Sequence, residues 1–438
     1  MSQTDYDIAI IGGGMVGASL ANLLAAGGVG WRIAVLDTHS PGADVCAHYQ
    51  PQYDNRSTAI SAGSAEILER LGLWRRLREH CTPIRQVHVS DRGHLGGGLI
   101  DAAEQQREAL GYVLENAWLA PCLSEAASAA PGVTYLAPVM VEALTPGAES
   151  TRLQLQGGPG QISARLVVLA DGGASSLRQD LGIGIERRDY RQSAIVANLS
   201  YERRHGGQAF ERFTPEGPMA LLPLDERPEA RRSALVWTLP PERARALMQA
   251  PDDEFMAQLQ AVFGWRLGRF LRVGERQCWP LELVQAKEQI RSRLVLLGNS
   301  AHYLHPVAGQ GFNLSLRDAA ALAATLRPAQ EAGEDPGNQA VLQSYLDQRE
   351  NDQTLTVGLS DRLVRLFSNR SLPLTALRHL GFLGLDWLPG MKALFAAQTM
   401  GTAGPRAPWE ASGLMPLDSF GSHGSQGSPD SQEPLRDD

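Results

Sequence analysis

The chain contains no apolar run of eighteen residues, so no membrane-spanning helix is expected. Its four cysteines, Cys46, Cys81, Cys122 and Cys278, are scattered and form no C-x-x-C pair. They read as reduced, mostly structural thiols of a cytoplasmic protein. No group of His, Cys and carboxylates has metal-ligand spacing, and His302 and His305 sit inside a glycine-proline turn, where histidines serve as local hydrogen-bonding residues. Basic runs are missing too. With 40 Lys and Arg against 48 Asp and Glu, the net charge of −8 argues against a nucleic-acid partner. A strand pattern begins within six residues of the N-terminus, which leaves no room for a signal peptide. There is no internal repeat, and no nucleophile–base pair stands out.

Glycine, by contrast, is plentiful, and two segments use it in patterned form. Asp7–Ile11 is a short apolar run that reads as a parallel core strand. It leads into Gly12–Gly13–Gly14–Met15–Val16–Gly17, which fits G-x-G-x-x-G, and an Ala- and Leu-rich helix pattern follows from Met15 to about Ala26. In that pattern Gly12 permits the tight turn, Gly14 lets the backbone approach a pyrophosphate, and Gly17 lets helix and strand pack closely. A second strand, Arg32–Leu36, ends at Asp37, twenty residues past Gly17, where an acid accepts ribose hydroxyls. That acid alone does not separate FAD from NAD.

The second segment runs from Gly298 to Asn313, between the apolar run Leu294–Leu297 and a helix pattern expected from near Leu314 to Leu326. Its proline and glycines let the backbone come close to a ligand, and the following helix N-terminus favours an anion. Two phosphate-binding turns on one chain point to a long cofactor gripped at several places, with FAD as the first candidate.

A chain of 438 residues implies two or three domains. The expected fold is α/β: a three-layer, Rossmann-like FAD-binding domain with an inserted mixed or antiparallel β-sheet domain for substrate and a C-terminal helical segment. The cofactor domain is assigned to residues 1–80, 106–185 and 276–350, the substrate sheet to 81–105 and 186–275, and the helical segment to 351–400. A helical pattern is expected from Arg56 to Leu77, and further helices near 252–263 and from Gln339 to about Phe367. Residues 401–438, rich in Gly, Ser and Pro with six acids against two arginines, are expected to be disordered.

With these segments located, the chain resembles the class A flavin-dependent aromatic hydroxylases, those with the para-hydroxybenzoate hydroxylase fold. The resemblance runs from Asp7 to about Met400. It includes a middle motif, Ala170–Asp171–Gly172–Gly173–Ala174–Ser175–Ser176–Leu177–Arg178, and a third motif with Asn299 where the family has aspartate. The segments 88–94, 210–214, 217–223 and 263–268, with the Gly298–Asn299 variant, are similar to the ubiquinone-biosynthesis branch, in particular to the hydroxylases of 2-octaprenyl-6-methoxyphenol.

The resemblance implies FAD as cofactor, NAD(P)H as transient co-substrate and molecular oxygen. It also implies a flavin hydroperoxide that hydroxylates a polyprenylated phenol to the 1,4-benzoquinol. The implied cofactor-binding residues are Gly12, Gly14, Met15, Gly17, Asp37, Arg56, Asp171, Gly172, Asn299, Pro306, Gly309, Gly311, Phe312 and Asn313. No side chain is assigned as catalytic, because the flavin carries the chemistry. Phe213, Pro218, Leu222 and Trp237 are candidates for the substrate wall or simply the core of its sheet, and His305 faces the substrate or is fixed by its turn. The apolar stretch His379–Met400 either packs on the cofactor domain or touches a membrane surface or a ubiquinone-biosynthesis assembly, which would make the protein peripheral to the inner membrane. A sister hydroxylase for another ring position, a lipid-acting flavin dehydrogenase or reductase, and a non-catalytic flavoprotein scaffold share the cofactor motifs and stay open at this point.

Overall fold

The computed structural model describes residues 4–28, 30–41, 49–53, 56–92, 97–173, 175–227, 230–304 and 310–368. Its centre is a parallel sheet of five strands. Tyr6–Ile11 lies in the middle, flanked by Ile33–Leu36 and Gln161–Leu169; Val133–Leu136 and Leu294–Leu296 follow on either side. The ladder pairs Ile8 with Ile33 and Leu166, Val167 with Leu294, and Ile33 with Val133. Tyr6–Ile11 is covered on both faces, which explains its unbroken apolar run.

One face packs against the helices Met15–Ala26, Asn116–Ala129 and Gln310–Glu331, burying Leu20, Leu23, Leu119 and Leu322. The other face packs against the antiparallel strands Met140–Pro146 and Thr151–Gln156 through Val141, Leu153 and Leu155. Helix, parallel sheet and β-meander are thus the three layers expected of the cofactor domain.

Beside it stands a nine-stranded mixed sheet. Its main path is His302–Tyr303, Gln277–Ala286, Ile185–Tyr201, Ala230–Leu239, Gly217–Arg227, Gln208–Thr214, Gln86–Asp91 and Gly97–Asp101; Phe270–Val273 pairs off the path with Ile185–Tyr201. Gln208–Thr214 and Gln86–Asp91 run parallel. Helices Pro241–Gln249 and Asp252–Phe263 cover one face, burying Ile195, Leu221, Leu235 and Trp237.

Two local expectations are corrected. Within the span read as helical, Ser57–Ser61 is a strand, paired with Gly111–Glu115 in a separate three-stranded sheet that also contains Cys81–Ile84. The helix pattern holds only from Ala62–Arg70 onward, where Ser61 Oγ caps the new helix by accepting from Ser64 N–H. The helix expected near Leu314 is Gln310–Glu331, so Gly311, Phe312 and Asn313 occupy its first turn rather than the loop before it. The expected helix from Gln339 is present as Gln339–Ser368. His379–Met400 and the 401–438 tail lie outside the described residues.

The segment bearing the third glycine motif is anchored by a buried charge network. Asp318 accepts from His302 Nε2 at 2.7 Å and from Arg349 Nε at 2.6 Å, with all three side chains almost fully buried. Arg317 and Arg349 both reach Asp352, tying Gln310–Glu331 to Gln339–Ser368. Burial alone would raise the Asp318 pKa, but Arg349 and His302 outweigh it and hold the carboxyl well below the ordinary carboxylate range. His302 Nε2 must then carry the proton, since an ionised carboxylate only accepts.

Asp318→Ala leaves the buried His302 N–H without its acceptor and Arg349 with Asp352 alone, and the expected loss is about 3–5 kcal/mol in chemical denaturation. Because the folded pKa is depressed, the carboxylate's contribution is present above its unfolded pKa of about 4 and is lost as pH falls through the folded value. The gap between wild type and variant therefore narrows in acid; a gap independent of pH would contradict this assignment.

Candidate cofactor and substrate site

Because the central strands are parallel, their carboxyl ends share one edge, and the segments picked out by sequence converge there. Gly12 follows Ile11, Asp37 follows Leu36, Asp171 lies just past Leu169, and Gly298 lies just past Leu296. Contacts between them are close. A Cβ on Gly12, whose φ is +101°, would meet the Ala170 carbonyl oxygen at 2.5 Å, and one on Gly298 would press on the Val16 side chain at 3.3 Å. One on Gly17 would meet the Gly12 carbonyl oxygen at 1.9 Å, so helix and turn touch only because that position is glycine.

The turn is braced from below. Asp37 accepts from Gly13 N–H at 2.6 Å and from His39 N–H at 2.8 Å, while the Tyr135 hydroxyl donates to the Gly13 carbonyl at 3.0 Å. Asp171 is braced more completely. One oxygen accepts from Gly173 N–H and from Ser300 Oγ, the latter at 2.5 Å, and the other accepts from Ser175. Arg178 donates to the Ser300 carbonyl at 3.0 Å. The middle motif thus holds the third motif, and Asp171 acts as a positioning residue in this arrangement.

Asn313 is similar. Buried in the first helical turn, it accepts from Ser61 N–H at 2.8 Å and donates to the Ala59 carbonyl at 2.9 Å. Both ends of its amide clamp the helix to the Ser57–Ser61 strand. Phe312 and Met15 are partly buried against the helix-side core. Pro306, Gly309 and His305 lie outside the described residues.

Other residues face outward. A Cβ on Gly14, Gly172 or Gly311 would meet no described atom within 4 Å. Asn299 is exposed and has no hydrogen-bond partner among the described residues. The Met15–Ala26 helix has no side-chain cap and no acid in its first turn, and Gln310–Glu331 also lacks a first-turn acid. Uncapped N–H groups beside open glycine faces suit a pyrophosphate, and Asp37 suits a ribose. The residues present therefore fit FAD.

The nine-stranded sheet carries the residues expected to face the substrate. Phe213 pairs with Pro218, and Leu222 packs with Val113, Ala209 and Ala234 on the face turned away from the covering helices. Trp237 takes the second of its two expected places: fully buried, it meets Phe255 edge-to-face at 5.9 Å on the helix-covered face, and it belongs to the sheet's core. Trp279, not picked out from sequence, is 43% exposed and pairs with Ala194. The exposed Arg56 guanidinium stands 5.6 Å from its ring centroid. Arg56 thus joins the cofactor side to the sheet through a contact that residue spacing does not reveal.

A cavity of about 460 Å³ is lined by Tyr49, Glu79, Thr82, Leu224, Asp225 and Arg232 among others. Beside it Arg232 and Glu115 form a buried pair at 2.9 Å, and Tyr49 donates to Glu115. The lining is mixed, with Pro51, Cys81 and Leu224 beside the charged Glu79, Asp225 and Arg232.

The glycine geometry separates two substitutions. Gly14→Val points into open space and should leave the melting transition near wild type while weakening FAD retention at least about tenfold, ~1.4 kcal/mol. Gly12→Val drives a side chain into the Ala170 backbone and should lower the melting temperature itself. Flavin absorbance and circular-dichroism melting of both variants check this; flavin fully retained by Gly14→Val would contradict it.

Comparison with known proteins agrees with this geometry. A family described as FAD binding domain matches residues 5–357. Ubiquinone hydroxylase UbiL of Rhodospirillum rubrum is 39% identical over 407 residues, covering 92% of this chain and 91% of that protein. The 3-demethoxyubiquinol 3-hydroxylase of Escherichia coli is 35% identical over 389 residues, covering 88% and 96%. Among solved structures, p-nitrophenol 4-monooxygenase PnpA from Pseudomonas putida has a TM-score of 0.72 at 20% identity, covering 92% of this chain and all of that one, and shows the shared fold. With its motifs gathered on one sheet edge and these relatives matched along most of its length, the chain belongs to the FAD binding domain family and, within it, to the FAD-dependent aromatic-ring monooxygenases.

Proposed function

We propose that this monooxygenase hydroxylates a polyprenylated methoxyphenol in ubiquinone biosynthesis, converting 2-octaprenyl-6-methoxyphenol to the 1,4-benzoquinol with NAD(P)H as electron donor. The observation that carries the reading is the 39% identity to a ubiquinone hydroxylase along nearly the whole of both chains. The residues of the site support it. Bound FAD would supply electron transfer from NAD(P)H and the activation of oxygen.

The chain's own residues bind, orient and exclude water. Gly12, Gly14 and Gly17 with Asp37 hold the adenosine and pyrophosphate end. Asn299 and the Gly311 turn border the ring end. Asn299 keeps an acceptor and adds donors, but it brings no charge beside the anionic phosphates. Arg56 supplies a cation at the junction with the substrate sheet. Phe213, Pro218 and Leu222 supply the apolar wall for an aromatic ring, which removes water from the reacting atoms. In this reading the five-stranded parallel sheet and its layers form the cofactor unit, and the nine-stranded sheet forms the substrate unit. No helix among the described residues is long and apolar enough to cross a membrane. A lipid substrate would reach the site from a membrane surface or from a partner in a biosynthetic assembly.

A second reading has a specific observation behind it. The Escherichia coli relative, at 35% identity, is a hydroxylase of 3-demethoxyubiquinol, so a sister ring position is the alternative. Turnover with NADH or NADPH, ¹⁸O₂ and a short-chain 2-prenyl-6-methoxyphenol distinguishes them. The expected product carries one labelled oxygen para to the phenol oxygen, located by mass spectrometry. A labelled hydroxyl elsewhere on the ring, or turnover only of a demethoxyquinol, assigns the sister position. A product without label overturns the hydroxylase reading.

A further inference from the structure

Glu211 has no task in the scheme above, and its position gives it one. It sits mid-way along the Gln208–Thr214 strand. Its neighbours Phe210 and Arg212 point into the helix-covered face: Phe210 meets Phe263 at 5.4 Å, and Arg212 Nε donates to the Val262 carbonyl at 2.9 Å. The pleat therefore turns Glu211 to the opposite face, with Phe213 and Leu222.

The register places it in a straight row across five strands, Val89, Glu211, Ala220, Val236 and Val196. One carboxyl stands among three valines and an alanine. It has no hydrogen bond or ion pair among the described residues, yet the residue keeps partial access to solvent. Burial is the only cause acting on it and pushes its pKa up to about 8.

The charged groups around it are few. On the neighbouring strand Asp91 lies on the same face, opposite Phe213. His88 and Arg212 lie on the other face, where Arg266 bonds His88. On the same face Ile84 and Val113 pack with Ala209, the residue two before Glu211 on its strand, and Arg56 stands over Trp279 further along the sheet. Packing alone would favour an apolar residue or a glutamine here, so an unpartnered carboxyl kept on the substrate face points to function.

We propose that Glu211 receives the hydroxyl proton of the bound phenol while the ring is hydroxylated. The proposal rests on the phenol-hydroxylase reading above. The phenol O–H bond breaks, a carboxyl O–H bond forms, and the phenol oxygen keeps the electron pair, raising electron density at the carbon para to it. When the ring gives its C–H proton to solvent water and regains aromaticity, the carboxyl returns its proton to the same phenol oxygen, so Glu211 ends as it began, and the proton released to solvent matches the one taken up as the second oxygen atom leaves as water. A carboxyl titrating within about two units of a phenol's ~10 is well matched to this exchange near neutral pH.

The test compares FAD-loaded wild type with Glu211→Gln and Glu211→Asp, using the short-chain prenyl methoxyphenol. Phenol binding, followed by perturbation of the flavin absorbance, should change less than about threefold in Glu211→Gln, ~0.65 kcal/mol. Hydroxylation should fall at least about 10²-fold, with partial rescue in Glu211→Asp. The wild-type rate should rise with pH up to about 8, and this limb should be absent from Glu211→Gln.

A readout independent of substrate accompanies these. A carboxyl whose folded pKa lies above its unfolded value destabilises the fold progressively as pH rises from about 4.5 towards the folded value. Glu211→Gln should therefore melt above wild type at pH ~8 and alongside it at pH ~5. Wild-type hydroxylation rate and pH profile retained in Glu211→Gln would overturn the proposal. A wild type that neither binds nor hydroxylates the phenol would overturn the reading beneath it, while the melting comparison still reports whether Glu211 is an unpaired carboxyl in apolar surroundings.

Discussion

Everything in this site depends on the parallel pairing of four adjacent strands, Ile33–Leu36, Tyr6–Ile11, Gln161–Leu169 and Leu294–Leu296. Parallel strands end on the same side, so segments nearly three hundred residues apart in sequence meet at one sheet edge. Shifting any of these strands would carry Gly12, Asp37, Asp171 or Gly298 away from the others. The ladder is held by a core buried on both faces, and the edge inherits that rigidity.

Residues at the edge and on the neighbouring nine-stranded sheet divide by whether their hydrogen-bonding capacity is consumed. Asp171 and Asn313 use their polar atoms on the protein, the first on Ser300, Gly173 and Ser175, the second on Ser61 and Ala59. They fix loops and helix against one another. Asn299, Arg56 and Glu211 are turned towards accessible space, and Gly14, Gly172 and Gly311 leave that space open. A tied group sets geometry and an untied one is available to a bound molecule. The His302–Asp318–Arg349 network extends the tied set into the helices behind the third motif.

Much of this was legible in the chain because its signals are local. An apolar run, three glycines and an Ala-rich helix pattern lie within Asp7–Ala26, and each constrains the backbone where it stands. The three-stranded sheet was not legible. Ser57–Ser61 is short and half polar, and its pairing partner Gly111–Glu115 lies fifty residues on. The side on which Trp237 falls could not be read either. The nine-stranded sheet is covered on both faces, so apolar residues occur on both and alternation loses its meaning. The roles of Asn313 and Glu211 depend on what is near in space: for one a strand from a distant segment, for the other the lack of any partner among the described residues. The starting point of the helix at Gln310 was obscured by Gly311, which is tolerated in a first turn.

The central claim is that the shared carboxyl edge of these strands holds one FAD with its ring end beside the Glu211-bearing face of the substrate sheet. A crystal structure of the FAD complex tests it most directly. The account predicts pyrophosphate density against Gly14 and the first turn of Met15–Ala26, and ring density between Asn299, Gly311 and the face bearing Phe213 and Glu211. Density that places the pyrophosphate away from Gly14, or the ring on the helix-covered face of the sheet, would contradict it.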